Sequence, residues 1–422
     1  MRLLFVSNIF APHVRGGYEI GCGQIAEHCQ KLGHQVVVAT SAVCGVLEKT
    51  SRNPRLRVEE LFDPVYEYEK AIYDRTVSDP QCRSRAEAAF GGILPHNARA
   101  LASFIEAYKP ELIWIFNPLA IGTVGLLEAC LTGDAPCVLH LMDAVDSVVE
   151  QHQTEQFLLP RYRRLKASLH AIACSEKMAV ENTRLGEFAS LRIIPNGVEF
   201  PALQPRERPP AAFAYFGQVE RIKGVLQAVY GLRGLLDRNP ASNATLDIIG
   251  PGSASFRREL DAEVNRLGLT AAVRIRGPLP HAEMLELLAS FGVAVLPLKE
   301  QEPFGFTAVE AAARGLAVIV TAQIGASEYF PADYPLLLQN RESAAELAGH
   351  MAWCVAHPAV TRATAERLRA TLRSRCDFQA AVMPSYLRAV QKLPAAPRRY
   401  RLGSMLGAHH AAALYRSSLS VS

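Results

Sequence analysis

Pro201-Ala-Leu-Gln-Pro-Arg-Glu-Arg-Pro-Pro210 interrupts this chain, and Phe213-Ala-Tyr-Phe-Gly217 just beyond it restarts the pattern that precedes it. Four prolines in ten residues cannot continue a helix or a central strand, so the stretch is a linker. On its N-terminal side short apolar strands (Leu3–Ser7, Val36–Thr40, Leu112–Phe116, Cys137–Leu141, Ala171–Cys174) alternate with helical patterns at Ile20–Leu32, Asn97–Tyr108, Val124–Leu131 and Tyr162–Leu169. On its C-terminal side strands are predicted at Phe213–Gly217, Thr245–Gly250, Val273–Arg276, Val293–Pro297 and Ala317–Thr321. Helices are predicted at Gly224–Arg238, Phe256–Leu267, His281–Ser290 and Phe306–Arg314. Continuous apolar strands separated by helices imply parallel sheets covered on both faces. The fold class is therefore α/β, with two doubly wound, Rossmann-like domains facing across a cleft and ligands expected outside the C-terminal strand ends.

The domains are expected at 1–200 and 211–375, with a last helix over 379–392 packing back on the first. Residues 45–95 break the rhythm with charged and Tyr-rich sequence (Tyr66, Tyr68, Tyr73), and read as a strand plus an irregular excursion. The basic tail 393–422 carries Arg398, Arg399, Arg401 and Arg416 and reads as loosely ordered, with a short helix near Ala408–Tyr415. The 422 residues exceed one ordinary core and suit two domains. Hydrophobic content of 49%, charged content of 20% and a net charge of +4 describe a soluble globular protein and give no argument for nucleic acid. Nine cysteines form no CxxC pair, and Cys22, Cys29, Cys44, Cys137 and Cys174 lie in or beside apolar segments, which suits reduced thiols in a cytoplasmic protein. No run approaches about 20 apolar residues, and the opening strand is too short for a signal peptide.

The chemistry concentrates in Glu302-Pro-Phe-Gly-Phe-Thr-Ala-Val-Glu310. Pro303 biases Glu302 toward extended chain. Thr307 suits an N-cap or first-turn position, and Ala308–Ala313 is strong helix-forming sequence. The exposed amides of such a helix start attract an anion, usually phosphate. The carboxylates Glu302 and Glu310 suit hydroxyl groups, and a nucleotide sugar has both. Gly16-Gly17, in a strand-to-helix turn, lets backbone approach a ligand closely, although glycine pairs also serve plain tight turns. Gly217–Gly224 occupies the equivalent turn of the second half, where Arg221 and Lys223 offer a cationic clamp for a diphosphate or, in the commoner case, a solvated loop. Gly250-Pro251-Gly252 is a weaker turn of the same kind. No metal-ligand spacing and no Gly-x-Ser-x-Gly occurs. His140 and Asp143 follow a strand, where side chains reach the cleft, though a histidine there is more often a packing residue.

In their order and spacing, Gly16-Gly17, Ile194-Pro195-Asn196-Gly197-Val198, Gly217–Gly224, Gly250-Pro251-Gly252, and Glu302–Glu310 with Arg314–Ile319 resemble the family 4 (group 1) glycosyltransferases, retaining enzymes of GT-B architecture. The resemblance covers most of residues 1–390. It implies that Glu302 lies near the transferred sugar and that Glu310 binds ribose hydroxyls. It places Phe304, Gly305, Phe306 and Thr307 at the sugar or phosphates, and Lys223 at the diphosphate. Gly16 and Gly17 would approach the same phosphates, and Arg276, Gly277 and Leu279 would lie alongside the base. The chain departs from the family at Gln218, where arginine is usual, with Arg221 the substitute cation. It departs again at Met142-Asp143, where His-Asp is usual; Asp143 becomes the preferred sugar or acceptor contact and His140 the second choice.

The implied activity is transfer of a sugar, with retention, from a UDP- or GDP-sugar to an acceptor hydroxyl in polysaccharide, glycolipid or glycoside synthesis. No cofactor or divalent metal is expected, the nucleotide sugar being a co-substrate. Two alternatives stand beside it: an epimerase or hydrolase acting on the same donor, and a non-catalytic sugar-nucleotide-binding partner protein. Arg161, Arg163, Arg164 and Lys166 beside Leu158, Leu159 and Leu165 offer a face for peripheral membrane contact and a lipid-linked acceptor, or, more commonly, a solvated helix face.

Overall fold

In the computed structural model the opening strand, Arg2–Ser7, lies inside the first sheet, and its buried Leu3, Leu4, Phe5 and Val6 are flanked by a strand on both edges. The structure describes residues 1–14, 16–42, 48–49, 53–63, 80–152, 157–203, 209–298 and 302–394. The first sheet has seven strands in the order Arg57–Phe62, Gln35–Ser41, Arg2–Ser7, Leu112–Asn117, Cys137–Leu141, His170–Ala173, Ser190–Ile193. Every pairing in it is parallel. The second has six, in the order Val273–Gly277, Thr245–Ile249, Ala212–Phe216, Val293–Leu296, Ala317–Thr321, Leu337–Leu338, again all parallel. Parallel strands need crossovers, and the helices that supply them bury both faces, which is why these strands read as unbroken apolar runs. Both sheets thus have the strand order of doubly wound nucleotide-binding folds.

Two compact units result: Met1–Ile194 joined by the chain from Tyr386 onward, and Pro195–Ser385. The first boundary falls before the proline-rich linker, and a hydrogen-bonded junction explains why. Val198 donates to Cys376 O at 2.9 Å, and Phe378 donates back to Val198 O at 2.9 Å. Arg369 Nη2 reaches Pro201 O at 2.5 Å. Residues 195–201 are therefore laced to the end of the long helix Pro358–Cys376, inside the second unit.

Several elements are not legible as periodic patterns. A helix, Pro80–Gly91, forms within the stretch read as an irregular excursion. Residues 322–375, to which no element is assigned from sequence, fold into Ala344–Ala356 and Pro358–Cys376. Their start signals are local: Ser343 Oγ accepts from Glu346 N at 3.1 Å, and Pro358 takes the first helical position, where a missing N–H is harmless. The expected helix over 379–392 is a five-residue π-helical turn, Phe378–Val382, followed by Met383–Val390. Tyr66, Tyr68, Tyr73, Cys44, the linker's 204–208, the tail arginines and the expected helix near Ala408–Tyr415 lie outside the described residues. Each described cysteine is a free thiol, and all but Cys82 are buried.

One face of the first sheet is built from rings. Phe5 stacks on Trp114 and Phe116, at centroid distances of 5.7 and 5.9 Å, and Phe116 stacks on His140 at 4.7 Å. Tyr386 closes the row edge-on, 5.7 Å from Trp114 and 5.4 Å from His140. Edge-to-face rings add to the burial gain, and Tyr386 is only 1% exposed. Tyr386→Ala is expected to destabilise the first unit by about 3–5 kcal/mol, while Tyr386→Phe, which keeps the ring, costs far less. Urea unfolding followed by Trp114 fluorescence in a Trp353→Phe background checks this.

Candidate functional site

In the second sheet, Ala212–Phe216 and Val293–Leu296 are neighbours whose crossovers leave in opposite directions, so a crevice opens where their C-terminal ends diverge. The turn after the first of these strands is braced from below. Tyr215 Oη donates to Gln218 O at 2.7 Å, and burial, then the carboxylates of Glu302 and Glu220, push its phenol well above the ordinary tyrosine range. Arg221–Lys223 then forms one 3₁₀ turn that must end abruptly. It does so at Gly224, at φ 72°, where a Cβ would lie 1.7 Å from Pro297 O. Only glycine meets both requirements. The turn is thereby pressed against the chain leaving the neighbouring strand.

That contact brings the two candidate motifs together: Lys223 Nζ forms an ion pair with Glu302 Oε1, both side chains about a quarter exposed (24% and 23%). The helix Phe306–Ala313 starts from Gly305 at φ 93°, making Gly305 the N-cap and placing Thr307 in the first turn rather than at the cap. A Cβ placed on Gly217 would lie 3.4 Å from Thr307 Cγ2, so the helix start faces the glycine turn. The first amides of a helix have no carbonyl within it to bind, and they form its positive end. Phe304 departs from the expected donor contact. Its ring is 2% exposed, packed on Phe306 and Tyr329, and its carbonyl accepts from Ala326 N at 2.7 Å. Its part is to shape the turn.

At the far end of the motif, Glu310 Oε1 meets His281 Nε2 at 2.9 Å. This bond raises the His281 pKa above its ordinary value, against the opposing effect of burial. Sequence reading missed His281, because the partners stand 29 positions apart and no local motif links them. Just before it, Gly277 takes φ 79° and its carbonyl accepts from Gly250 N at 2.8 Å, while Leu279 is partly exposed between Pro278 and Pro280. Arg276 is held by the fully buried Asp247. Gln218 is exposed, and Arg221, 60% exposed, is ion-paired to Glu259 and lies over the Phe256 ring. The cation that meets the Glu302–Glu310 motif is Lys223.

In the first unit, Gly16 caps the helix Gly17–Lys31, and its N–H donates to Glu19 Oε2 at 2.7 Å. Tyr18 Oη accepts from Met142 N at 3.1 Å, and burial followed by the Asp143 charge raises its pKa well above the usual value. Asp143 is partly exposed beside it, whereas His140 is 1% exposed within the aromatic row. His140 is thus a packing residue and is withdrawn from the acting groups. The basic helix also differs from expectation. Spanning Leu158–Lys166, it buries Lys166 completely against Asp146, whose two carboxylate oxygens are both 2.8 Å from Nζ, and ties Arg161 to Glu128. Lys166 is internal and Arg161, partly exposed, is held in an ion pair, while Arg163 and Arg164 are exposed. No helix among the described residues is long and apolar enough to cross a membrane.

The profile described as Glycosyltransferase Family 4 matches residues 15–200, and that described as Glycosyl transferases group 1 matches residues 210–357. The chain belongs to this family. Among its curated relatives, glycogen synthase of Mycobacterium tuberculosis (strain CDC 1551 / Oshkosh) is 38% identical over 161 residues, 36% of this chain and 37% of the relative. D-inositol 3-phosphate glycosyltransferase of Corynebacterium jeikeium (strain K411) is 29% identical over 110 residues, 25% of this chain and 26% of the relative. These alignments take in little more than a third of each relative at most. The crystal structure of Anabaena Alr3699/HepE in complex with UDP and glucose superposes with a TM-score of 0.68 at 19% identity, over 93% of this chain and 100% of that one. At that identity the likeness establishes the fold: GT-B, with two Rossmann-like parallel-sheet domains.

The glycosyltransferase fold gives Gly224 a steric test. Gly224→Ala is expected to lower the stability of the second unit by at least about 2 kcal/mol, because the strained φ and the Pro297 carbonyl act together. A thermal melt equal to the parent's would show that the turn opens without cost.

Proposed function

We propose that this protein transfers a sugar, with retention of anomeric configuration, from a UDP- or GDP-sugar to an acceptor hydroxyl in polysaccharide, glycolipid or glycoside synthesis. The single observation that carries the reading is the Lys223–Glu302 pair, set beside a helix N-terminus at the switch point of the second sheet. A cation, a row of amides and a carboxylate at one place suit a substrate made of phosphates and hydroxyls.

In this scheme the diphosphate takes over Lys223, and the amides of Gly305–Thr307 receive the negative charge that grows on it as the glycosidic bond breaks. Preorganised donors of this kind commonly contribute a few kcal/mol to lowering a barrier. Glu302, released from Lys223, holds a donor-sugar hydroxyl or balances the positive charge of the oxocarbenium-like centre. Glu310 accepts from the ribose diol. Gly277 and Leu279 lie alongside the base, with Arg276 held in place by Asp247. Asp143, in the first unit, is assigned to the acceptor or the sugar. Leaving-group charge is met by Lys223 and backbone amides, so a divalent metal is not required.

Full-length protein incubated with radiolabelled UDP- and GDP-sugars, with and without candidate glycan, lipid-linked and small-molecule acceptors, tests the reading. Acceptor-dependent nucleotide release that persists in EDTA is expected. Turnover without acceptor would instead make it a donor hydrolase or epimerase, and binding without turnover across the panel would make it a non-catalytic partner. Lys223→Ala and Glu302→Gln are each expected to lower kcat/KM by about 100-fold or more. Arg221→Ala, whose parent side chain is engaged by Glu259, is expected to have the smaller effect on donor affinity; no effect at all removes Arg221 from the site.

A further inference from the structure

We propose that His281 is a positioning residue for the nucleotide's ribose, holding one oxygen of Glu310 so that the rest of the carboxylate is fixed for the sugar diol. The inference rests on the assignment of Glu310 to the ribose made above, and adds a residue and a regulation to it.

The geometry comes first. His281 is the first residue of the helix His281–Leu288, directly after Pro278-Leu279-Pro280. Two prolines fix the backbone torsions of that approach, so the imidazole starts from a rigid support. Glu310 lies on a different helix, Phe306–Ala313, and is 15% exposed while His281 is 50% exposed. The 2.9 Å bond between Nε2 and Oε1 is thus a tie between two elements, one leading from the base-side strand and one from the sugar-side turn. An ionised carboxylate offers about four acceptor positions, and His281 uses one. A cis-diol needs two. A glutamate without this tie samples several rotamers, and each misplaced rotamer lowers discrimination between a ribose and its 2′-deoxy form.

The same contact makes nucleotide binding depend on pH. The groups acting on His281 are Glu310 and Arg314 from the Phe306–Ala313 helix and its cap, and Glu199 from the segment preceding the linker. The hydrogen bond that His281 donates to Glu310 raises the His281 pKa most; burial and Arg314 oppose it, and Glu199 adds to it. A raised pKa means that the pair's contribution is fully present below the free-imidazole value of about 6.5 and is lost as pH rises through the folded value. Loss of that positive charge also weakens attraction for a polyanionic nucleotide. Affinity therefore declines with rising pH through a window above about 6.5.

The test is titration calorimetry on the full-length protein from roughly pH 6 to 8.5, spanning the imidazole range. UDP and GDP are compared first, then the tighter binder with its 2′-deoxy form, on the parent, His281→Ala, His281→Asn and Glu310→Ala. His281→Ala is expected to reduce the preference for ribose over 2′-deoxyribose by about tenfold. His281→Asn, which keeps a donor but cannot titrate, is expected to restore most of the preference while losing the pH-dependent decline seen in the parent. Ionisation of the diphosphate itself is common to all variants and cancels in the comparison. If His281→Ala retains both the preference and the pH profile while Glu310→Ala loses the preference, His281 has no positioning role and the ribose assignment survives. If Glu310→Ala also keeps the preference, or neither diphosphate binds, the ribose assignment itself fails and this inference falls with it.

Discussion

The attachment of Lys223 to Glu302 is the constraint on which the second unit's site depends. The two residues stand 79 positions apart and come together only because adjacent parallel strands diverge at a switch point. Their backbone supports are narrow. Lys223 ends a single 3₁₀ turn that Gly224 closes against the Pro297 carbonyl, and Glu302 O accepts from Gly325 N at 3.1 Å. A half-buried charge pair of this kind gains little net free energy from itself, because desolvation offsets the attraction. Its consequence is different: each charge keeps the other in place and so joins the 3₁₀ turn to the Glu302 segment.

Polar groups elsewhere in the first unit are spent on holding its helices together. Asp146 accepts from Tyr162 Oη, Lys166 Nζ and Leu185 N, all at 2.8 Å, and Lys166 Nζ also donates to Asn182 O at 2.6 Å. Both charged side chains are fully buried, and every one of these bonds joins separate elements. Removing one partner from such a network leaves an uncompensated interior charge, commonly costing about 3–5 kcal/mol. A sequence stretch that reads as a basic surface helix is therefore mainly scaffold, with Arg163 and Arg164 its exposed cations.

Strand and helix periodicity made the alternating architecture legible, with Cys137–Leu141 and Ala317–Thr321 read to the residue. Continuous burial on both faces leaves an unambiguous apolar signature. The Pro80–Gly91 helix left none, since Gln81, Arg83, Ser84, Arg85 and Glu87 dilute its apolar side. Ala344–Ala356 is alanine-rich and Pro358–Cys376 is rich in alanine and arginine, which blurs the apolar stripe of each, and their start signals are the Ser343 cap and Pro358. Glu302, Glu310 and Lys223 stand out in the sequence because chain spacing and turn glycines mark them, and the structure joins Lys223 to Glu302 and Glu310 to His281. His281 and Glu19 were not, because their roles arise from what they touch. His140 shows the reverse failure: a position at a strand end suggested access, whereas the row Phe5, Trp114, Phe116 and Tyr386 absorbs the ring.

The two glycine turns, alike in sequence position, differ in what already occupies them. In the second unit the glycine turn delivers a cation, Lys223, beside a helix start whose capping residue, Gly305, has no side chain to fill the space. In the first unit the Gly16 amide is taken by Glu19, a carboxylate 5% exposed and set in the same helix's first turn. A phosphate reaching Gly16 would have to displace that carboxylate or endure its charge at close range, at the end of a helix whose positive potential Glu19 already satisfies. The Gly16 amide is already satisfied within its own helix's first turn. The positive end of a helix thus stands beside a lysine in the Pro195–Ser385 unit and beside its own glutamate in the first unit.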